Sequence, residues 1–465
     1  MSTSNDIFRV SGSFRDSSGY VFKNGRGEIL RTVNSSYLDN YELFQSSGLK
    51  DKLIKSKLLI PFKECTGKQF DNSPKNLKVE KIPFISYPYE WSFDQLKDAA
   101  LLTLKIQKLA LKHNMMLKDA SAYNVQFHHG KAIFIDLLSF ETADDKPWPA
   151  YGQFCSHFLA PLALMAKTDI DLNLFLTQFI DGIPLELAAK LLPLRTRFSP
   201  GLLLHLFSHA KMQSKHNSSE KSAAKANSSK ISVKNKILLA EHLISIIRSF
   251  KLHTFKQTEW GDYYNNTNYD DKAFSSKRKI IEETLTDIKP EMTLDIGANT
   301  GIFSRLALSN SKLVVAVDID PVAIDKHYLF LKKEKIANVL PLRINFSNPS
   351  PAIGWDNQER ESFLSRCNFD LVMALALVHH LAISNNVPLE MLASTLAKTG
   401  KHLIIEFIPK EDSQVKILLA SRKDVFPDYH VDGFVQAFEK YFKLLKRAPV
   451  EGSKRELFLF EVIEK

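Results

Sequence analysis

Three groups of residues in this 465-residue chain have types and spacings suited to chemistry. The first is Asp295-Ile296-Gly297-Ala298-Asn299-Thr300-Gly301, with Asp318 17 residues beyond it. Gly297 and Gly301 let the backbone turn tightly and approach a ligand, and a helix opening after them aims its first amides at that ligand. An acidic residue about 20 residues further on accepts hydrogen bonds from ribose hydroxyls in nucleotide-binding α/β folds. The second group is His379, His380 and Glu406. An imidazole titrates near neutrality, so either histidine is a candidate base, with Glu406 as a further candidate. The third group, Asp119, Asn124 and Asp136, gathers oxygen-bearing side chains within 18 residues.

The elements that must position the first two groups are legible as apolar patterns. Met292, Leu294 and Ile296 alternate as in a strand, while Ile302, Phe303, Leu306 and Ala307 recur at helical spacing, so the glycine loop joins a strand to a helix. Further strands are expected over 313–317, 339–344, 369–375 and around 403–405, with an antiparallel edge over 442–445 and 457–462. Asp318 and Asn345 end the second and third strands, and the two histidines and Glu406 follow the fourth and fifth. Ligands of open α/β sheets bind beyond these carboxyl ends.

The loop, the acid and the seven strands resemble a class I S-adenosylmethionine (SAM) dependent methyltransferase, and the whole chain resembles uncharacterised bacterial methyltransferases of nodulation-protein type. The resemblance implies an α/β fold, a seven-stranded Rossmann-like domain, and SAM as cofactor. It implies cofactor contacts from Asp295, Gly297, Asn299, Gly301 and Asp318, and from Asn345 toward the adenine. Two positions depart from the family pattern. Asn299 stands where a middle glycine is usual, and Asn345 where an acid is usual; asparagine tolerates unusual backbone angles. A dinucleotide dehydrogenase would carry Gly-x-Gly-x-x-Gly, which is absent here. A glycine turn without cofactor is the bland alternative. Asn348-Pro349-Ser350-Pro351 follows the third strand rather than the fourth, so it implies nothing about an amino-group acceptor. Residues 259–269, rich in aromatics and amides, are read either as a flap over the cofactor or as a packed connector.

The N-terminal half carries another pattern. Residues 93–111 read as a helix of about five turns, capped by Ser92 or Asp94. Leu117-Lys118-Asp119 and Asn124 follow, then a hairpin over 125–135 and Asp136. This spacing resembles the catalytic segment of protein-kinase-like and aminoglycoside-phosphotransferase-like folds. The resemblance implies that Asp119 orients an acceptor hydroxyl, that Asn124 and Asp136 hold magnesium, and that a nucleotide is the phosphoryl donor. Leu-Lys-Asp in place of His-Arg-Asp, Asp-Leu-Leu in place of Asp-Phe-Gly, and a missing glycine-rich loop are departures. The alternative is a folded α+β helper domain in which Asp119 caps a turn and Asp136 ends a strand. Residues 22–31 read as a hairpin through Asn24-Gly25; no role is assigned to Lys23 or Arg31. His157 is read as a structural histidine.

Length predicts two or three domains: an N-terminal domain over 1–210, a Lys/Ser-rich connector over 211–236, and the methyltransferase domain over 237–465. The connector's seven lysines and one glutamate supply +6 of the net charge of +10, so the basic balance reads as a solvated segment rather than a nucleic-acid groove. No run reaches the roughly 18 apolar residues of a membrane span and the polar N-terminus is unlike a signal peptide, which predicts a cytoplasmic protein. Cys65, Cys155 and Cys367 make no CxxC pair, so neither a disulfide framework nor a zinc site is expected, and all three are read as buried apolar residues. The methyl acceptor, whether small molecule, lipid, saccharide, RNA or protein, is not specified by these residues. A module that senses SAM without consuming it is a further alternative.

Overall fold

A computed structural model describes residues 7–65, 71–211, 230–252, 271–420 and 423–463. The flap or connector expected over 259–269 and most of the Lys/Ser-rich connector lie outside the described residues. The chain divides into two compact units, Met1–Phe255 with Ala352–Glu361, and Lys256–Pro351 with Ser362–Lys465.

The first unit is α+β. Strands β1 (Ile7–Arg9), β2 (Val21–Asn24), β3 (Ile29–Val33), β4 (Phe62–Glu64) and β5 (Lys75–Val79) form an antiparallel sheet in the order β1-β2-β3-β5-β4. The β2–β3 hairpin is present, and Asn24 holds it by accepting the backbone N–H of Arg26 and Glu28. The left-handed glycine of this turn is Gly27, at φ +71. A helix spans Phe93–Lys112. Ser92 starts it with a capping box, its hydroxyl accepting from Gln95 N while the Gln95 side chain accepts from Ser92 N. Strand β6 (Met115–Leu117) follows and pairs with β9 (Phe140–Thr142), while β7 (Val125–His128) and β8 (Lys131–Phe134) form the expected second hairpin. Helix Val233–Ser249, which the sequence splits between connector and methyltransferase domain, belongs to this unit. It packs along helix Phe93–Lys112, with Lys236 buried and donating to the Asp144 carbonyl at 2.5 Å.

The second unit contains β10 (Met292–Ile296), β11 (Leu313–Asp318), β12 (Val339–Arg343), β13 (Phe369–Ala374), β14 (Gly400–Phe407), β15 (Phe442–Pro449) and β16 (Glu456–Val462). Their order is β12-β11-β10-β13-β14-β16-β15; the first five are parallel and β16 is antiparallel to both neighbours. Val314, Val315, Ala316 and Val317 are all fully buried, as strands covered by helices on both faces require. The chain moves outward from β10 through β11 to β12, then returns to β13 on the other side of β10. This reversal opens a crevice at the carboxyl ends of β10 and β13.

Of the three cysteines only Cys155 is buried; Cys65 is exposed and Cys367 half-buried, so the expected apolar role holds for one of them. Among the described residues no helix is long and apolar enough to cross a membrane.

Candidate functional site

Beyond the ends of β10 to β13 lies a cavity of about 390 Å3, lined by Asp295, Gly297, Asn299, Asp318, Asn345 and His380 among others. Its glycine loop alternates left-handed residues: Gly297 at φ +77, Asn299 at +49 and Gly301 at +75. Gly297 N and Ala298 N both donate to the Val317 carbonyl, at 2.8 and 3.0 Å, so the chain turns out of β10 while still tied to β11. Asn299 replaces glycine without loss of the turn, and its N–H donates to the Asp318 carboxylate at 2.8 Å. Gly301 is required for space. A Cβ there would come within 2.0 Å of the His327 ring. The helix that follows, Ile302–Leu306, is a single short turn.

Two carboxylates define the cavity's polarity, and their hydrogen-bond donors are neutral. Asp318 also accepts from Asp320 N at 2.8 Å, and Asp295 accepts from the Ser304 hydroxyl at 2.6 Å. Burial pushes each of them up to about 6. Asn345 lies two residues past β12, and its side-chain oxygen accepts from Ser347 N at 3.0 Å. Ala376 is left-handed at φ +52 and lines the wall next to β13.

The three residues read as candidate bases separate. His380 lines the cavity, whereas His379 lies behind it, 2% exposed, with the two ring centroids 4.1 Å apart. Burial lowers both imidazoles below their ordinary value, and His380 adds to the effect on His379. Glu406 lies inside β14 rather than after it and is fully buried. It receives Lys277 Nζ at 2.6 Å and the Ala376 N–H at 2.8 Å, with Arg455 Nη1 at 3.7 Å. This carboxylate is compensated by two cations and fixes the left-handed turn at Ala376. Local sequence reading missed both cations. A signal for Lys277 existed, since it stands four residues from Ala273 and four from Ile281 on the buried stripe of helix Asp271–Ile288.

In the first unit, Asp119, Asn124 and Asp136 are drawn into local bonds. Asp136 receives Arg31 Nη1 at 2.6 Å and also accepts from the Ser139 hydroxyl, to which the Asn124 amide donates at 3.3 Å. Arg31 holds Asp16 as well, at 2.9 Å. Asp119 accepts from Ser121 N at 2.9 Å, and burial followed by the charge of Asp136 raises its carboxyl. His157 is buried against Tyr123, and burial drives it down to about 3; its Nδ1 has no hydrogen-bond partner.

An open sheet with this crossover, its last strand slotted antiparallel between the fifth and sixth, and a ligand-sized cavity at the reversal are the architecture of class I SAM-dependent methyltransferases; the chain is one of them. No family model matches it. It is 36% identical over 461 residues to nodulation protein NoeA of Rhizobium meliloti (strain 1021), spanning 97% of this chain and 96% of that protein, and it belongs to the same family. Similar solved structures include the N-methyltransferase NodS from Bradyrhizobium japonicum WM9, at 15% identity and a TM-score of 0.31, covering 42% of this chain and 100% of that one. Another is the bifunctional kinase-methyltransferase WbdD, at 16% identity and a TM-score of 0.31, covering 45% of this chain and 43% of that one.

Proposed function

We propose that the second unit transfers a methyl group from SAM to a small-molecule, lipid or saccharide acceptor by in-line displacement, in the cytosol. The observation that carries this reading is the cavity itself. Its 390 Å3 falls within the size of small-ligand sites, and it sets hydrogen-bonding carboxylates near the glycine loop and an imidazole near β13. When bound, the cofactor supplies an electrophilic methyl group on a sulfonium.

In this reading Asp318 accepts the ribose hydroxyls, Asn345 faces the adenine, and the loop from Gly297 through Asn299 to Gly301 admits the cofactor's backbone-hugging portion. Asp295 supplies buried negative charge beneath it. Phe274, Leu381 and Leu418 bring apolar surface to the cavity wall and exclude water, which a displacement at carbon requires. His380 is the base for an acceptor that carries a proton. Its lowered affinity for protons keeps it neutral and receptive at pH 7. Glu406 acts as a positioning residue through Ala376, and His379 as packing behind His380. The chain organisation proposed is an N-terminal helper domain, a Lys/Ser-rich connector and the catalytic domain. The Arg31–Asp136 pair favours a helper role over magnesium-dependent phosphotransfer in that first domain.

The test is methyl transfer from radiolabelled SAM in the presence of fractionated cell extract. Label entering a low-molecular-weight or lipid-extractable fraction, with S-adenosylhomocysteine formed in equal amount, is expected. Label found only in RNA or protein, with binding that weakens steeply in salt, moves the acceptor to a macromolecule. SAM binding with no extract-dependent product identifies a sensor. His380→Gln is expected to lower kcat by about 100-fold or more for a proton-bearing acceptor while leaving SAM affinity unchanged.

A further inference from the structure

We propose that Glu80, His128 and His129 form a binding site for one divalent transition-metal ion of the zinc type, in the first unit and outside the methyltransferase cavity. One ligand atom from each of the three lies within 4.8 Å of the others. His128 Nε2 is already 3.0 Å from Glu80 Oε1, and the two imidazole centroids are 3.9 Å apart. Bonds of about 2.0 to 2.2 Å to a tetrahedral zinc place neighbouring donor atoms roughly 3.3 Å apart, so only the more exposed side chains need to rotate to close the set.

The backbone explains how two adjacent histidines come to face one point. Neighbours on a strand project to opposite faces, so a His-His pair in β7 would be divided between them. His128 ends β7, however, and His129 with Gly130 makes the two-residue turn into β8, at φ +49 and +69. Positive φ at both turn residues is the hairpin geometry usually given to Asn-Gly. Histidine there accepts a left-handed conformation that costs roughly 1 to 2 kcal/mol and, in return, lays its ring beside that of His128. Glu80 arrives from a distant part of the chain, just past β5, with its N–H fixed on the Pro61 carbonyl at 2.9 Å. Two imidazoles and one carboxylate suit zinc, nickel or copper rather than magnesium or calcium. Glu80 and His129 are exposed, which leaves the remaining coordination position to water.

A bound ion would clasp the end of β5 to the β7–β8 hairpin. That hairpin already holds the intervening segment, because the Gln126 side chain accepts from Ser86 N at 2.9 Å and donates to the Ser86 carbonyl at 2.8 Å. The clasp would therefore rigidify the stretch from residue 80 to residue 91.

Zinc chloride titrated calorimetrically into metal-stripped full-length protein tests the site, beside the variants His128→Asn, His129→Asn and Glu80→Gln. His129→Asn is a suitable probe because asparagine keeps the left-handed turn. One equivalent bound by the parent, weakened at least about tenfold in each histidine variant, is the expected result. The parent's melting temperature should rise with zinc, and that of His129→Asn should not. Equal zinc affinity in the parent and both histidine variants, or no stoichiometric binding by the parent, would overturn the proposal.

Discussion

Asp295 and Asp318 in the second unit and Asp136 in the first are held in opposite ways. In the methyltransferase cavity, Asp295 and Asp318 are hydrogen-bonded by a hydroxyl and by backbone N–H groups, and burial lifts both toward neutrality. In the first unit, Asp136 is clamped by the guanidinium of Arg31, as Glu406 is by Lys277, which itself lines the cavity. A carboxylate whose hydrogen-bond donors are a hydroxyl and backbone N–H groups keeps acceptor capacity for a ligand. One compensated by a buried cation has spent that capacity on the fold. The same residue types at suggestive spacing thus mean different things, and the partner decides which.

Breaking a compensated pair gives the largest expected effect. Glu406→Ala takes the 2.6 Å partner from buried Lys277, while Arg455 keeps Asp412 at 2.8 Å, and should cost about 3 to 5 kcal/mol in denaturant unfolding. A loss below about 1 kcal/mol would mean that Lys277 finds water. Removing Asp136 should be milder, because Arg31 retains Asp16. Asp136→Asn is expected to cost about 2 kcal/mol, the scale of a charged hydrogen bond, while leaving methyl transfer and SAM affinity unchanged. Loss of magnesium-dependent ATP binding in that variant, measured by thermal shift, would instead restore the phosphotransfer reading.

The uncompensated side of the comparison predicts a pH effect. Asp318 and Asp295 each titrate near 6 in the folded chain, above the ordinary carboxyl value. Their protonated forms are therefore favoured by folding, and the stability they contribute is full below about 4 and is lost as pH rises through 6. SAM affinity should run the other way. Ribose hydroxyls donate to the ionised form, so affinity is expected to be flat above pH 7 and to fall up to about tenfold per unit below 6. Flat affinity from pH 5 to 8 would show that neither carboxylate contacts the cofactor in its charged form.

The parallel core of the second unit was almost fully readable. Strands buried on both faces are continuous apolar runs, and β10 to β13 fall within a residue or two of their expected ends. Strands β14 and β15 run beyond the apolar stretches that mark them in the sequence. The first begins with Lys401 and His402; the second is an exposed edge carrying Lys443, Lys446 and Arg447 with an irregularity after Leu444. In the first unit, β4 and β5 escaped because they are short and rich in lysine and glutamate. What no local pattern reveals is partnership. Arg31 lies 105 residues from Asp136 and Lys277 lies 129 from Glu406, and each pair exists only because the fold closes that distance.

The central claim is that Asp318 and the loop beside it hold SAM. Calorimetric titration of SAM into the intact protein and into Asp318→Ala tests it most directly. One site in the parent, weakened by about 1.5 to 3 kcal/mol in the variant, is the predicted result. An absence of binding to the folded parent, or equal affinity in the variant, would contradict it.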